Sequence, residues 1–179
     1  MDIKVSHSLT AYHRAMPLDF DPIAEARRNW EIHGWGTPDA MVAATSIARA
    51  QQILLARIDA ALAPFGLTFS RFEALALLYF SRRGALPMGK IGARLQVHPT
   101  SVTNTVTRLE RDGLVRRTAA DGDRRMVLAE ITHEGRRVAV AAAGALAEAG
   151  FGLDGLADGQ LRRVHDAILP LRRGAGDFG

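Results

Sequence analysis

Along most of the chain apolar residues recur every three or four positions, the spacing that sets one face of a helix against a core. Residues 1 to about 20 show little periodicity and are expected to form a loose arm. From there Ile23, Ala26, Trp30 and His33 share a face of a helix opened by Asp21 as N-cap and Pro22 at its first position. Gly34, Gly36 and Pro38 break it. Met41, Ala44, Ala48, Leu55, Ile58 and Leu62, broadened by Ile47 and Leu54, mark a long helix from Thr37 or Asp39 to about Ala63, which Pro64 and Gly66 end. A third helix begins at Thr68 or Ser70, buries Phe72, Leu75, Leu78 and Tyr79, and closes at Arg82, Arg83 and Gly84.

The pattern changes its meaning between residues 87 and 132. A short helix with Ile91 and Leu95 on its apolar side breaks at Val97-His98-Pro99, and a second helix follows to about Arg111. Pro99 suits the first turn of that second helix, where its missing N–H would have no intrahelical partner. In it Val102, Val106 and Leu109 recur at i, i+4 and i+7 and face a core. The opposite face carries Thr100, Thr103, Asn104, Thr107, Arg108 and Arg111, with Ser101 beside them. Hydroxyls, an amide and guanidinium groups, with no carboxylate among them, suit the phosphates and base edges of a DNA major groove about 12 Å wide. An ordinary solvated face would mix in Glu and Lys.

Gly113 is the expected C-terminal cap of that helix. Residues 114–118 and 126–131 read as two strands joined by a loop, 119–125, with turn chemistry and two adjacent arginines. A β-hairpin directly after a recognition helix is a wing, and Arg124 or Arg125 at its tip could enter a minor groove whose potential attracts guanidinium. Asp123 is read as the anion that orients them by charge-assisted hydrogen bonds. Thr132 then caps an alanine-rich helix over 133–150, a loop spans 150–155, Asp158 caps a last helix through Leu171, and a glycine-rich tail occupies 174–179. The expected fold is mainly α with a small β-hairpin wing.

Charge sharpens this picture. Between residues 82 and 125 ten Lys or Arg stand against four Asp or Glu, a local charge of +6 in a chain whose formal net charge is +4. The positive charge is therefore focused on the helix-turn-helix stretch, as an electrostatic footprint on DNA requires. There are no cysteines, which excludes disulfides, thiolate metal sites and a cysteine redox sensor. No apolar stretch approaches the ~20 residues of a membrane span, and a cytoplasmic location is expected.

The matching residues Val97-His98-Pro99-Thr100-Ser101-Val102-Thr103, Arg108-Leu109-Glu110 followed by Gly113-Leu114-Val115, Asp123-Arg124-Arg125, and Ile131-Thr132 with Gly135 make the chain resemble the MarR family of winged helix-turn-helix regulators. The resemblance implies a homodimer on pseudo-palindromic double-stranded DNA, usually a repressor, often released by a small ligand. On it, residues 1–38 are an N-terminal arm with an added helix. Residues 39–173 are the MarR-like domain, with the winged module at about 66–132 and dimerisation helices at about 39–63 and 133–173. The apolar faces of the last two helices are also too extended for one small domain to cover, which independently favours a two-fold pair.

The added helix resembles that of the family's urate-responsive subgroup. There a Trp, an Asp and two Arg act together. Trp30, Glu73 and Arg117 occupy three of those places, and Thr105, which has no charge, takes the fourth. The resemblance thus implies a small anionic or aromatic effector other than urate, held by Trp30, Glu73 and Arg117; His33 and Phe72, on the faces of the same helices, join them as candidate ligand residues, and a Glu73 buried on that apolar helix would need a partner such as Arg117. Trp30 and His33 are equally well read as core-facing residues of their helix.

Other signals lead nowhere. Gly84 to Lys90 imitates a phosphate loop but has Ile91 where Ser or Thr must hold Mg²⁺. Gly150-Phe151-Gly152-Leu153-Asp154-Gly155 imitates a dinucleotide fingerprint without its βαβ setting. The histidines show no i, i+4 pair, and no nucleophile or paired-carboxylate motif is present, so neither an enzyme, a cofactor nor a metal site is expected. The alternatives to a specific regulator are a low-specificity architectural DNA-binding protein and a winged-helix protein-interaction module.

Overall fold

The computed structural model describes residues 18–120 and 123–178; for residues 120 and 123–125 only the backbone is described. The chain falls into two compact units, residues 1–51 and 52–179. Much of the expected arm lies outside the described residues.

In the first unit helix α1, Pro22–Ile32, starts where Asp21 and Pro22 predict. An Asp21 carboxylate oxygen accepts from the Ile23 N–H at 2.9 Å, satisfying a donor that the first turn leaves without a helical partner. The indole N–H of Trp30 donates to the Trp35 carbonyl at 2.9 Å, and the two rings meet edge to face. His33, expected on a core-facing side, is exposed. Arg27 bridges Glu31 at 3.3 Å and Asp39 at 3.0 Å, tying α1 to the first residue of α2, Asp39–Leu62.

In the second unit α2 ends in a single 3₁₀ turn, Ala63–Phe65, closed by Gly66 at φ +65°. Helix α3, Phe69–Phe80, follows, then strand β1, Ala85–Pro87, and α4, Met88–Leu95. Helix α5, Pro99–Arg111, leads into β2, Val115–Ala120, and β3, Asp123–Ile131. Helices α6, His133–Glu148, and α7, Asp158–Gly174, complete the chain. The core is assembled from Leu62, Leu75, Leu78, Ile91, Val106, Leu109, Val115 and Leu146, all completely buried or nearly so.

The sheet departs from a plain hairpin. It has three antiparallel strands in the order β1-β3-β2, with Leu86 opposite Ala129 and Val115 opposite Ile131. Strand β1 falls in the stretch read as a loop. Three residues ending in proline have no alternation to read, and Pro87, without an N–H, is tolerated because β1 is an edge. The hairpin strands are also longer than expected: pairing continues to Ala120 opposite Asp123, so Ala119, Ala120 and residues 123–125 belong to strands rather than to a loop.

Three smaller corrections concern the helices. Tyr79 is exposed, while Arg71, which no apolar pattern marks, is buried at 9% exposure. Helix α7 is capped by Ala157 rather than Asp158, through the Gln160 side chain accepting from the Ala157 N–H at 2.9 Å. Residues 150–155 include a 3₁₀ turn, Gly150–Gly152, in which Phe151 adopts φ +51°.

Candidate nucleic-acid interface

Helix α5 is fixed at both ends before its surface is considered. At its start His98 Nδ1 accepts from the Thr100 N–H at 3.3 Å, so the residue read only as part of a break is the N-cap. At its end Asp112 is the cap, and Gly113 takes φ +73°, a left-handed conformation that a side chain would strain. Val102, Val106 and Leu109 are buried along one side. A polar outer side follows from the same geometry. Thr100, Ser101, Thr103, Asn104, Thr107, Arg108 and Arg111 are all exposed.

Not every exposed group is equally available. The Thr103 hydroxyl donates to the Pro99 carbonyl of its own helix at 3.1 Å, and Arg111 Nε lies 3.1 Å from an Asp112 carboxylate oxygen. Asn104 and Arg108 have no side-chain hydrogen bond or ion pair among the described residues, which leaves their donors for a ligand. On the neighbouring helix α4 the exposed Lys90 and Arg94 add charge that spacing alone did not single out.

Asp112 also receives the guanidinium of the buried Arg71, which donates in addition to the Gly66 carbonyl at 2.6 Å. Arg71 thereby joins the start of α3 to the end of α5. Burial alone would raise the Asp112 carboxyl, but the hydrogen bonds from Arg111 and Arg71 reverse this and hold it below the ordinary carboxylate range. A carboxyl depressed on folding contributes stability above its unfolded pKa, and that contribution is lost as pH falls through the folded value.

Arg117, on β2, is where the structure corrects the sequence most. Its guanidinium pairs with Glu110, not with Glu73, and its backbone N–H donates to the same carboxylate at 3.0 Å. Nη2 reaches the Thr107 hydroxyl at 2.7 Å and the Thr103 carbonyl at 3.4 Å. One side chain thus staples the wing to the last turns of α5, and Thr107 serves that staple. An Arg117→Ala variant is expected to weaken DNA binding about tenfold, because the wing loses charge-assisted bonds of about 1.5–3 kcal/mol. A gel-shift titration checks it. Arg117→Lys, keeping charge without the fork, is expected to restore binding only in part.

The side chains of Asp123, Arg124 and Arg125 lie outside the described residues; their backbone begins β3. Behind the wing Arg116 bridges Glu130 across the strands at 3.0 and 2.8 Å.

The expected effector residues do not gather in one place within the second unit. Phe72 and Glu73 are neighbours on α3, yet Phe72 lines a slot between α3 and α6, whereas Glu73 lines a hollow of about 300 Å³ beneath α5, with Ser101 and Thr105. Burial raises the Glu73 carboxyl above its ordinary value, and no cation is paired with it among the described residues.

A short helix, a turn, an outward-facing recognition helix and a three-stranded wing define a winged helix-turn-helix regulator. A profile described as MarR family matches residues 65–126. Sco5413, a MarR family transcriptional regulator from Streptomyces coelicolor, is 52% identical with a TM-score of 0.73, the match covering 78% of this chain and 97% of that one. CouR from Rhodococcus jostii RHA1, in a structure bound to p-coumaroyl-CoA, is 27% identical with a TM-score of 0.59, over 70% of this chain and 87% of that one. The uncharacterized HTH-type transcriptional regulator YhbI of Bacillus subtilis (strain 168) is 27% identical over 124 residues, 67% of this chain and 79% of the relative. The chain belongs to the MarR family of transcriptional regulators.

Proposed function

We propose that the protein is a cytoplasmic homodimeric repressor that binds a pseudo-palindromic DNA site through α5 and the wing and releases it when a small aromatic or anionic effector arrives. The observation that carries this is the outer side of α5, exposed along its whole length and furnished with Asn104 and Arg108 as uncommitted donors. Thr100, Ser101 and Thr103 flank them for phosphate and base contacts, and Arg124 and Arg125, oriented by Asp123, would reach the minor groove.

Dimerisation is supported by a helix, α7, that is left without a buried residue among the described residues. It runs for 17 residues, and Leu171 on it is 62% exposed. A helix of that length is marginal in water unless an apolar face is packed. A second copy supplies that packing by two-fold symmetry and sets two recognition helices about one DNA turn, ~34 Å, apart. No single helix among the described residues is long and apolar enough to cross a membrane.

Sedimentation equilibrium at micromolar concentration, followed by competition between the selected site and bulk DNA, tests the reading. A dimer that prefers its site by ~10³ or more is expected, with affinity falling steeply as salt rises. A monomer, or a dimer without preference, overturns it.

The effector reading draws support from CouR's p-coumaroyl-CoA complex and from the hollow at Glu73. Trp30 and His33 are proposed as further ligand residues. A carboxyl whose folded pKa is raised favours folding below its unfolded pKa and opposes it as pH rises past the folded value. Glu73→Gln is therefore expected to melt a few degrees higher than the parent at pH 7, with the gain vanishing below about pH 4. Thermal melts at the two pH values check it, and a lower melting point at pH 7 would assign Glu73 a stabilising partner.

A further inference from the structure

Two arginines hold the C-terminal end of α5. Arg117 fastens it to the wing through Glu110, and Arg71 fastens it to α3 through Asp112. Arg71 is the more deeply placed, its side chain 11% exposed against 29%. Its Nη1 donates to the carbonyl of Gly66, the residue that closes the turn after α2 at φ +65°. The first turn of α3 is fixed from α2 as well. Thr68 makes no side-chain cap there, and the Phe69 N–H donates instead to the Asp59 carboxylate at 2.7 Å. The end of α2, the start of α3 and the end of α5 therefore meet at one junction, with the Arg71 guanidinium inside it.

As a source of stability this arrangement is poor. Taking a guanidinium out of water costs more than a partner still open to solvent can offset, and Asp112 is 32% exposed. Arg71 Nε is buried without a hydrogen-bond partner among the described residues, a further loss. Asp112 also caps α5 at the negative end of its dipole, where a carboxylate is unfavourable. What the side chain supplies is geometry. Its planar fork is committed by one prong to a turn and by the other to a helix end, which leaves α5 one angle against α3.

We infer that Arg71 is a positioning residue for sequence recognition, setting the angle at which α5 meets DNA without touching DNA itself. Asn104 and Arg108 stand eight and four residues before Asp112. At 1.5 Å per residue both lie within about 12 Å of the held end. A swing of that end carries them off their base edges, since a hydrogen bond is lost beyond about 3.5 Å. Attraction to the phosphates survives the swing, because it depends on charge near the backbone and not on alignment. Loss of Arg71 therefore lowers preference for the site and not attraction to DNA. The inference rests on the proposed site-specific binding, and on neither the dimer nor the effector.

Arg71→Met combined with Asp112→Asn removes both charges and puts an apolar side chain of comparable size in the junction. Its melting point is expected within a few degrees of the parent's, because apolar replacement of a buried charge pair is often neutral. Fluorescence anisotropy with the selected site and with bulk DNA, at several salt concentrations, reads the two kinds of binding. Preference for the site is expected to fall about tenfold, the worth of one base-edge contact. Affinity for bulk DNA and the salt slope are expected to match the parent's. Arg71→Lys, which keeps the charge but not the fork, is expected to fall between the two.

An unchanged preference in the double variant overturns the inference and leaves site-specific binding standing. Equal losses on both DNAs, with a shallower salt slope, make Arg71 a phosphate contact. A loss that merely follows the unfolded fraction at the assay temperature, with Arg71→Lys at the parent's preference wherever it is folded, makes Arg71 structural only. Either result overturns the inference. A parent that prefers no site refutes the specific-regulator reading first, and the inference with it.

Discussion

A variant carrying Asn104→Ala together with Arg108→Ala is expected to bind its operator at least about 100-fold more weakly than the parent while unfolding at the same temperature. The two side chains lie on the exposed side of α5, four residues apart and so on one face, and neither is engaged by the fold. Their removal therefore takes nothing from the core formed by Val102, Val106 and Leu109 on the far side. A guanidinium or amide placed against a base edge contributes about 1–3 kcal/mol each, and the proposed dimer would lose two copies of both. Fluorescence anisotropy with the selected site gives the affinity, and circular dichroism melting gives the stability. A variant that binds as the parent does would move the DNA surface off α5. A variant that melts much lower would show these residues to be structural.

The second large effect concerns a glycine whose replacement ought, by helix propensity, to be welcome. Gly135 stands in the first turn of α6, its N–H donating to the Thr132 hydroxyl at 2.9 Å. A β-carbon there would overlap the Leu114 carbonyl oxygen, which already accepts from the Thr132 N–H, and would stand 2.9 Å from Ile131 Cγ1. Alanine in a helix gains about 1 kcal/mol over glycine, whereas forcing a backbone carbonyl aside costs about 3 kcal/mol at the upper end of overpacking. The clash wins, so Gly135→Ala is expected to lose about 2 kcal/mol in urea unfolding. Gly144→Ala, on the same helix with open space at its β-carbon, is the control and is expected to gain up to about 1 kcal/mol. If Gly135→Ala gained as well, α6 would not be pressed onto the base of the wing.

Helix α5 was legible because everything that makes it is local: Pro99 at its first turn, Val102, Val106 and Leu109 at helical spacing, Gly113 beyond its end. The outward side followed by elimination. The roles of Arg117 and Arg71 were not legible, because Glu110 and Asp112 reach them across the fold and no spacing along the chain encodes that meeting. Resemblance to the urate-responsive subgroup joined Arg117 to Glu73, yet Glu110, whose carboxylate also accepts the Arg117 N–H, is the partner the strand register brings within reach. Strand β1 was missed for a similar reason: its three residues become a strand only beside β3. Phe72, in contrast, was singled out from its helical face, and that face does line a groove, though not one shared with Glu73.

The central claim is that two copies of α5 present their outer sides to successive turns of one duplex. Hydroxyl-radical and methylation-interference footprinting on a site selected from the host's own DNA tests it most directly. Two protected patches related by a dyad, with guanine contacts in major grooves about 10.5 base pairs apart, and both lost in the Asn104→Ala, Arg108→Ala variant, are the predicted result. A single patch, or protection that survives that variant, would contradict it.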